Sequence, residues 1–476
     1  MIDTPRSAVP ARSALILAAC AALVLAFAPA QYFGRSQDDL LYYLGARALT
    51  HGRYCLETSP GCPPLAMINP GWPIFLAPLA ALTTRPAAFQ LLSALTLALA
   101  PVAVWAWLRR RCGETAALLA AALTASSPLA LGQAGVAMTE APFLLLLIGM
   151  IAAAQAERPL AAGALLAAGV LLRTAGLAAL PAAVVPFALS RRRGDALKAA
   201  VPALAAYASW SAWSLARTRG VDKISLLAAT YLGRPPAAAA RLALADAAFY
   251  SRAWGACVLP PRLAQSSAAL GLGAALWALA FFGAARALRR RRGEPAAWAL
   301  LGFAALHLLW GWQYERYLLP LLPLMAWAVI EAAGRFAPAA LSVLLALQLA
   351  AQALPRLIQP SPYAEPELAR TYAWLAARPR PALLSSAEFV RDGWYAGLPA
   401  VPLVDAPSPA AFAAAMKRRR VSYVLRQDGL AIGLDADPGS PLRAAVERGE
   451  RALDDPKLFR LVHAEPAEGA RVYAPL

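Results

Sequence analysis

The sequence predicts an α-helical polytopic membrane protein, with about eleven transmembrane helices followed by a small α/β domain outside the membrane. Three observations carry that prediction. The chain of 476 residues is 60% hydrophobic with a mean hydropathy of +0.51, well above the usual composition of a water-soluble domain. Its basic residues gather in short turns between apolar runs. Finally, the composition changes near residue 361, where the acids return: residues 1–360 hold 30 Lys/Arg against 13 Asp/Glu, and the remainder holds 15 against 14.

The charge pattern also narrows the function. A net charge of +18 suits nucleic acid in principle, but a nucleic-acid surface interleaves basic and aromatic residues on one soluble face. Here the cations sit at Arg109–Arg111, at Arg191–Arg193 with Lys198, and at Arg289–Arg292. Such clusters in tight turns mark the cytoplasmic side of a membrane protein, so nucleic acid is not an expected partner.

Taken in order, the first apolar stretch runs near 13–31. Arg6 and Arg12 precede it and Ala28-Pro29-Ala30 ends it, a pattern shared with secretory signals. An uncleaved first span with the N-terminus in the cytoplasm is the preferred reading, and either way Asp38 emerges outside. Ten further spans are expected near 86–108, 115–132, 140–156, 159–173, 176–190, 197–215, 264–287, 295–312, 318–333 and 337–354. An odd number of spans places the C-terminal domain outside as well, on the outer face of a bacterial inner membrane.

Three outer regions follow from this topology. The first loop, 32–85, holds an amphipathic stretch, Leu40 to Leu49, and an apolar piece, Trp72 to Leu82, expected to lie along the membrane interface. Cys55 and Cys62 in this loop fit either a disulfide in an oxidising compartment or two free thiols. A second loop spans 216–263 and contains Tyr231-Leu232-Gly233-Arg234-Pro235-Pro236. The third region is the tail, residues 361–476. There, strand-like runs at 381–386, 401–404 and 421–425 alternate with helical stretches at 365–377 and 409–420. It has no glycine-rich phosphate loop. The three histidines, His51, His307 and His463, are scattered and propose no zinc site; His307 reads as a packed residue.

The candidate chemistry lies at outer span ends. Asp38 and Asp39 follow the first span in Ser36-Gln37-Asp38-Asp39-Leu40-Leu41-Tyr42-Tyr43. One carboxylate can act as general base on an acceptor hydroxyl while its neighbour orients the acceptor or holds a metal ion; alternatively the pair caps the helix that follows. Glu140, in Thr139-Glu140-Ala141-Pro142, starts the fourth span and can converge on the same cavity or simply favour a helix N-terminus. Arg173 and Arg316 are outer arginines within apolar sequence. Each can bind phosphate through its planar fork of donors or snorkel to headgroups. Arg316 is the stronger candidate, because Trp312, Tyr314 and Tyr317 surround it; Glu315 is its expected partner. Acids for hydroxyl activation and arginines for an anionic leaving group together describe transfer from a lipid-linked phosphosugar.

The order of these motifs resembles the GT-C superfamily of integral membrane glycosyltransferases, in particular the bacterial branch of aminoarabinose transferase and protein mannosyltransferase-like enzymes. The block Asp38 to Leu49 with Gly52 and Tyr54, the piece Asn69-Pro70-Gly71-Trp72-Pro73, Thr139-Glu140-Ala141-Pro142 and Glu315-Arg316-Tyr317-Leu318-Leu319-Pro320 carry the likeness. It implies a catalytic membrane domain over 1–360 that uses a polyprenyl-phosphate sugar, with inversion. Asp38 would be the base, Asp39 and Glu140 would assist, and Tyr42, Tyr317, Arg173 and Arg316 would contact substrate. A divalent metal, if used, would sit among Asp38, Asp39 and Glu140. The partners implied are membrane lipid, the lipid-linked donor, and a glycan, lipid or protein acceptor. The competing reading is a transporter or flippase of a lipid-linked glycan, which would call for paired halves with broken helices and acids at mid-membrane.

Overall fold

A computed structural model describes residues 9–28, 31–218, 228, 234–310, 312–359, 364–428 and 441–476. Arg6, Pro29, Ala30 and the Tyr231-Leu232-Gly233 part of the second loop lie outside the described residues. The first three-quarters of the chain is helical and the last quarter folds around a sheet.

Three helices among the described residues are long and apolar enough to cross a membrane by themselves: Pro86–Cys112, Ser267–Arg290 and Glu315–Ile358. The last, 44 residues long, turns back at Gly334, whose φ of 58° is a left-handed conformation that a side chain disfavours. Most other expected spans form shorter apolar helices, including Ala11–Ala26, Glu114–Ser126, Glu140–Gln155, Pro159–Leu172 and Pro295–Leu309. A helix of about 16 residues spans only about 24 Å, less than the ~30 Å of a hydrocarbon core. Helix length alone therefore does not reproduce eleven spans. The missing length lies in irregular backbone at the helix ends: Pro159–Leu172 stops at an extended Arg173, and a 3₁₀ segment, Thr174–Ala179, follows before Leu180–Leu189.

Local chemistry sets many boundaries. Proline occupies the first turn of Pro86–Ala98, Pro159–Leu172 and Pro295–Leu309, where its missing N–H costs nothing. Ser266 starts Ser267–Arg290 by accepting the Ala269 N–H at 3.3 Å. Arg109, Arg110 and Arg111 end Ala100–Cys112, where cations oppose the helix dipole.

The second outer region is not the loop expected from sequence. It contains a 21-residue helix, Pro236–Ala256, packed tightly on Ser267–Arg290. A Cβ at Gly273 would collide with the Ser251 carbonyl, so the two backbones touch. Arg241, Asp246 and Arg252 interrupt its apolar pattern and hid it from hydropathy. In the first loop, Gly71–Leu82 is helical: Trp72 and Leu76 are buried while Ile74, Phe75 and Leu82 stay exposed. That division suits a helix with one face on protein and one on lipid. Its Trp72 indole donates to the Ala137 carbonyl at 2.9 Å.

The C-terminal sheet has five strands: β1 Leu384–Ser386, β2 Ala400–Pro402, β3 Tyr423–Gln427, β4 Phe459–Glu465 and β5 Ala470–Pro475. Their order is β2-β1-β3-β5-β4. β1 lies parallel to β2 and β3, with Leu384 opposite both Ala400 and Tyr423. β5 is antiparallel to β3 and β4. The first three strands match the sequence expectation; β4 and β5, a hairpin of mixed polarity, do not stand out from composition.

Two contacts fasten this domain to the first outer loop. Cys55 and Cys62 form a disulfide, and the loop they close covers the β2 edge: Ser59 Oγ donates to the Ala400 carbonyl, and the Ala400 N–H to the Thr58 carbonyl. The helix Phe389–Ala396 docks through Trp394, whose ring meets Tyr43 edge-on at 5.6 Å, and through the Tyr395 hydroxyl on the Phe33 carbonyl. Replacing Cys55 and Cys62 with serine is expected to cost about 2 kcal/mol. Limited proteolysis and thermal melting of the detergent-solubilised chain should show a looser C-terminal domain, and reductant should reproduce the change in the unmodified protein.

Candidate active site

Four charged residues from distant parts of the chain meet at one end of the helical domain, each at a helix start or a break. Asp38 and Asp39 occupy the first turn of Asp38–Thr50, and Glu140 opens Glu140–Gln155. Anions at those positions face the positive ends of their helices. Arg173 is the extended residue between Pro159–Leu172 and its 3₁₀ continuation, and Arg316 lies in the 3₁₀ segment Glu315–Leu321. Where the helical ladder is interrupted, side chains can be aimed at one another rather than around a cylinder.

The four alternate in sign. Arg173 Nη1 lies 2.5 Å from Glu140 Oε1, Arg316 Nε lies 3.5 Å from that same oxygen, and Arg316 Nη2 meets Asp38 Oδ2 at 2.8 Å. Glu140 is 1% exposed at its side chain and Arg316 12%, whereas Asp38 is 36% exposed. The ladder therefore begins in the protein interior and ends in the open. Burying isolated charges would cost several kcal/mol each, and alternation is what makes the burial tolerable. Two tyrosines wall the arginines: Tyr317 lies 4.9 Å from Arg173 and 5.7 Å from Arg316, and Tyr314 lies 4.5 Å from Arg316. Tyr42 is buried beside Thr139, Glu140 and Arg173.

Asp38 and Arg316 open onto a cavity of about 1180 Å³. Its lining is mixed: the helical domain contributes apolar Leu129, Leu131, Phe249 and Ala253 together with polar Asp38, Arg316, Gln352 and Arg356, and the C-terminal domain contributes Glu388, Arg391 and Gln427. Typical small-molecule pockets measure about 300–1,000 Å³, so this one has room for more than one substrate.

The placement sorts the sequence candidates. Asp38, Glu140, Arg173 and Arg316 come together as expected. Asp39 does not join them: it is fully buried, and its Oδ2 accepts the Gly34 N–H at 2.8 Å. Burial pushes its carboxyl up to about 6, against the backbone N–H groups of Gly34 and Leu40. Its place is beneath the cavity, holding the chain that leads into the helix. Tyr42 is likewise packed behind the ladder, and Tyr314 rather than Tyr42 or Tyr317 lines the cavity. Glu315 is not the partner of Arg316, because Asp38 and Glu140 fill that role; Glu315 lines the cavity separately. His307 is packed as expected, its Nδ1 2.6 Å from the Phe303 carbonyl oxygen and its ring against Tyr250. The polar groups from the C-terminal domain, Glu388, Arg391 and Gln427, were not identified from sequence, since nothing local marks a soluble-domain acid as facing the membrane part.

The carboxylates do not fit a divalent cation. Such a site needs several oxygen ligands around one point, but Glu140 and Asp38 point at guanidinium groups and Asp39 at a backbone N–H. No group of three His, Cys, Asp or Glu among the described residues could hold a metal ion.

Because Glu140 neutralises both buried arginines, Glu140→Ala is expected to destabilise the protein by about 3–5 kcal/mol. A thermal melt of the purified variant checks this, with Glu140→Gln expected to lose less.

No family model matches the chain, and no curated protein matches it in sequence. Among solved structures it is similar to ArnT from Cupriavidus metallidurans in the apo state, with a TM-score of 0.58, 13% identity and 99% of each chain covered. The same protein bound to undecaprenyl phosphate aligns at 0.57 and 13%, over 98% of this chain and 99% of that one. The oligosaccharyltransferase from Archaeoglobus fulgidus, tethered with an acceptor peptide, aligns at 0.55 and 14%, over 95% of this chain and 72% of that one. At such low identity the common property is the backbone arrangement, and the chain shares the overall fold of these structures.

Proposed function

We propose that the protein is a membrane glycosyltransferase that moves a sugar from a polyprenyl-phosphate donor to an acceptor hydroxyl, at the outer face of the bacterial inner membrane. The observation that supports it most is the 2.8 Å pairing of Asp38 with Arg316 on a cavity lined by both apolar and polar side chains. A base and an anion-binding group are adjacent, and the lining offers apolar surface as well as hydrogen-bonding groups.

In this reading the prenyl chain lies against the apolar residues Leu129, Leu131 and Phe249 and the donor phosphate reaches Arg316. The phosphate competes with Asp38 for the guanidinium and so frees the carboxylate. Asp38 then removes the proton from the acceptor hydroxyl as its oxygen attacks the anomeric carbon. The bond from that carbon to the phosphate oxygen breaks, and its electron pair leaves with the lipid phosphate. Arg316 stabilises the charge that accumulates there. Attack from the face opposite the leaving group inverts the anomeric centre. Glu140 and Arg173 hold Arg316 in place, and Asp39 positions the helix that carries Asp38. No metal enters any step. The apolar helices and the basic turns at Arg109–Arg111, Arg191–Arg193 and Arg289–Arg292 support a multi-pass topology with those turns in the cytoplasm.

Asp38→Asn is expected to lower turnover about 10²–10⁴-fold, the usual contribution of a positioned base, with polyprenyl-phosphate binding retained. Release of free lipid phosphate from a panel of polyprenyl-phosphate sugars measures it, and near-normal turnover would remove Asp38 as the base. Arg316→Lys keeps the charge but loses the planar fork. It should weaken donor binding about tenfold, a single charge-assisted hydrogen bond's worth, while acceptor KM stays within twofold.

A further inference from the structure

We propose that Glu388, with Arg391 and Gln427, forms the acceptor subsite of the cavity and that it takes a polyhydroxylated sugar group. This rests on the glycosyl-transfer reading above and adds to it the class of acceptor.

Three observations carry it. First, these residues come from the C-terminal domain yet line the same cavity as Asp38 and Arg316. Glu388 directly precedes the helix Phe389–Ala396, whose Val390 N–H donates to Gln37 Oε1 at 3.4 Å, one residue before Asp38. The subsite and the proposed base are therefore tied together through the Gln37 side chain. Second, the Glu388 carboxylate makes no hydrogen bond or ion pair among the described residues. The nearby cation, Arg391, is already held by Asp392 at 3.3 Å and by Gln427 Oε1 at 3.3 Å. A half-buried acid without a partner, facing a cavity, is poised for a ligand's donors. Burial pushes its carboxyl up to about 7, against the influence of Arg391. Third, the donor and acceptor types match vicinal hydroxyls. A carboxylate accepts two O–H groups, while the Gln427 amide NH₂ donates to a hydroxyl oxygen.

An extended peptide cannot add a strand at the β2 edge, a common mode of peptide binding, because the disulfide-closed loop covers that edge through Ser59 and Thr58.

The test uses the full chain in detergent. Binding of a free glucosamine disaccharide is followed by saturation-transfer NMR, and binding of undecaprenyl phosphate is measured separately. Glu388→Ala is expected to weaken the disaccharide about tenfold and leave undecaprenyl phosphate within twofold; Arg316→Lys should do the reverse. With a glycolipid acceptor, wild-type acceptor KM should fall as pH rises through about 7, because the ionised carboxylate accepts hydroxyl protons. Glu388→Gln, which preserves shape, should flatten that dependence with kcat changed less than KM. Disaccharide binding unaffected by Glu388→Ala, or displacement by a Ser/Thr peptide and not by sugars, overturns the subsite. Failure of the wild-type protein to bind undecaprenyl phosphate instead overturns the glycosyl-transfer reading on which the subsite rests.

Discussion

Charge neutralisation in a place poor in water is the constraint on which the candidate site depends. Arg173, Glu140, Arg316 and Asp38 form one alternating ladder, and none of the inner three could be kept there alone. The ladder explains why the helices break where they do. A guanidinium can reach a carboxylate on another helix only if the backbone presents it at an end, and each of these residues lies at a start, an extended link or a 3₁₀ segment. Irregular backbone at membrane depth survives when it is enclosed by protein, and the buried tyrosines around the ladder supply that enclosure.

The second determinant is the way the C-terminal domain closes the site. Tyr43 is its hub: the ring packs edge-on against Phe33, Phe89 and Trp394, while its hydroxyl donates to the Thr84 carbonyl at 3.0 Å. One side chain thus joins the first outer loop, the span that begins at Pro86 and the soluble domain. Such offset aromatic contacts contribute on the order of 1 kcal/mol each beyond area burial. With the disulfide-closed loop on β2, they hold Glu388 and Arg391 across the cavity from Asp38. The cavity is therefore lined by residues of both the helical part and the sheet domain.

The outcome for the helices is instructive. Periodic, strongly apolar segments such as Pro86–Cys112 and Ser267–Arg290 were legible because transfer from water to hydrocarbon depends on composition summed over a window. The helix Pro236–Ala256 escaped notice because Asp246 and its flanking arginines lower that sum, although Asp246 is fully buried and accepts from the Gln313 amide at 2.9 Å. A buried acid satisfied by a distant amide looks, in one dimension, like a solvent-facing one. The β4–β5 hairpin was missed for a related reason: in β4 only Phe459 is buried, the other positions are half-buried or exposed without alternation, and a bulge lies between Leu461 and His463, so no period-two pattern marks it.

By itself the sequence determined the helical, apolar character of the first three-quarters, the clustering of basic residues in short turns, the change of composition near residue 361, and a short roster of candidate acids and arginines. These follow from solvation and charge, which each residue carries wherever the chain goes. Only the tertiary structure decided which roster members meet. Neighbours on a helix point about 100° apart, so Asp38 and Asp39, indistinguishable as letters, divide between an open cavity and a buried backbone N–H. Glu315 and Arg316 both reach the cavity but only Arg316 joins the ladder, and Tyr42 and Tyr43 are both buried against different neighbours. Direction is a property of packed elements, and it is direction that makes a carboxylate a candidate base or a structural brace.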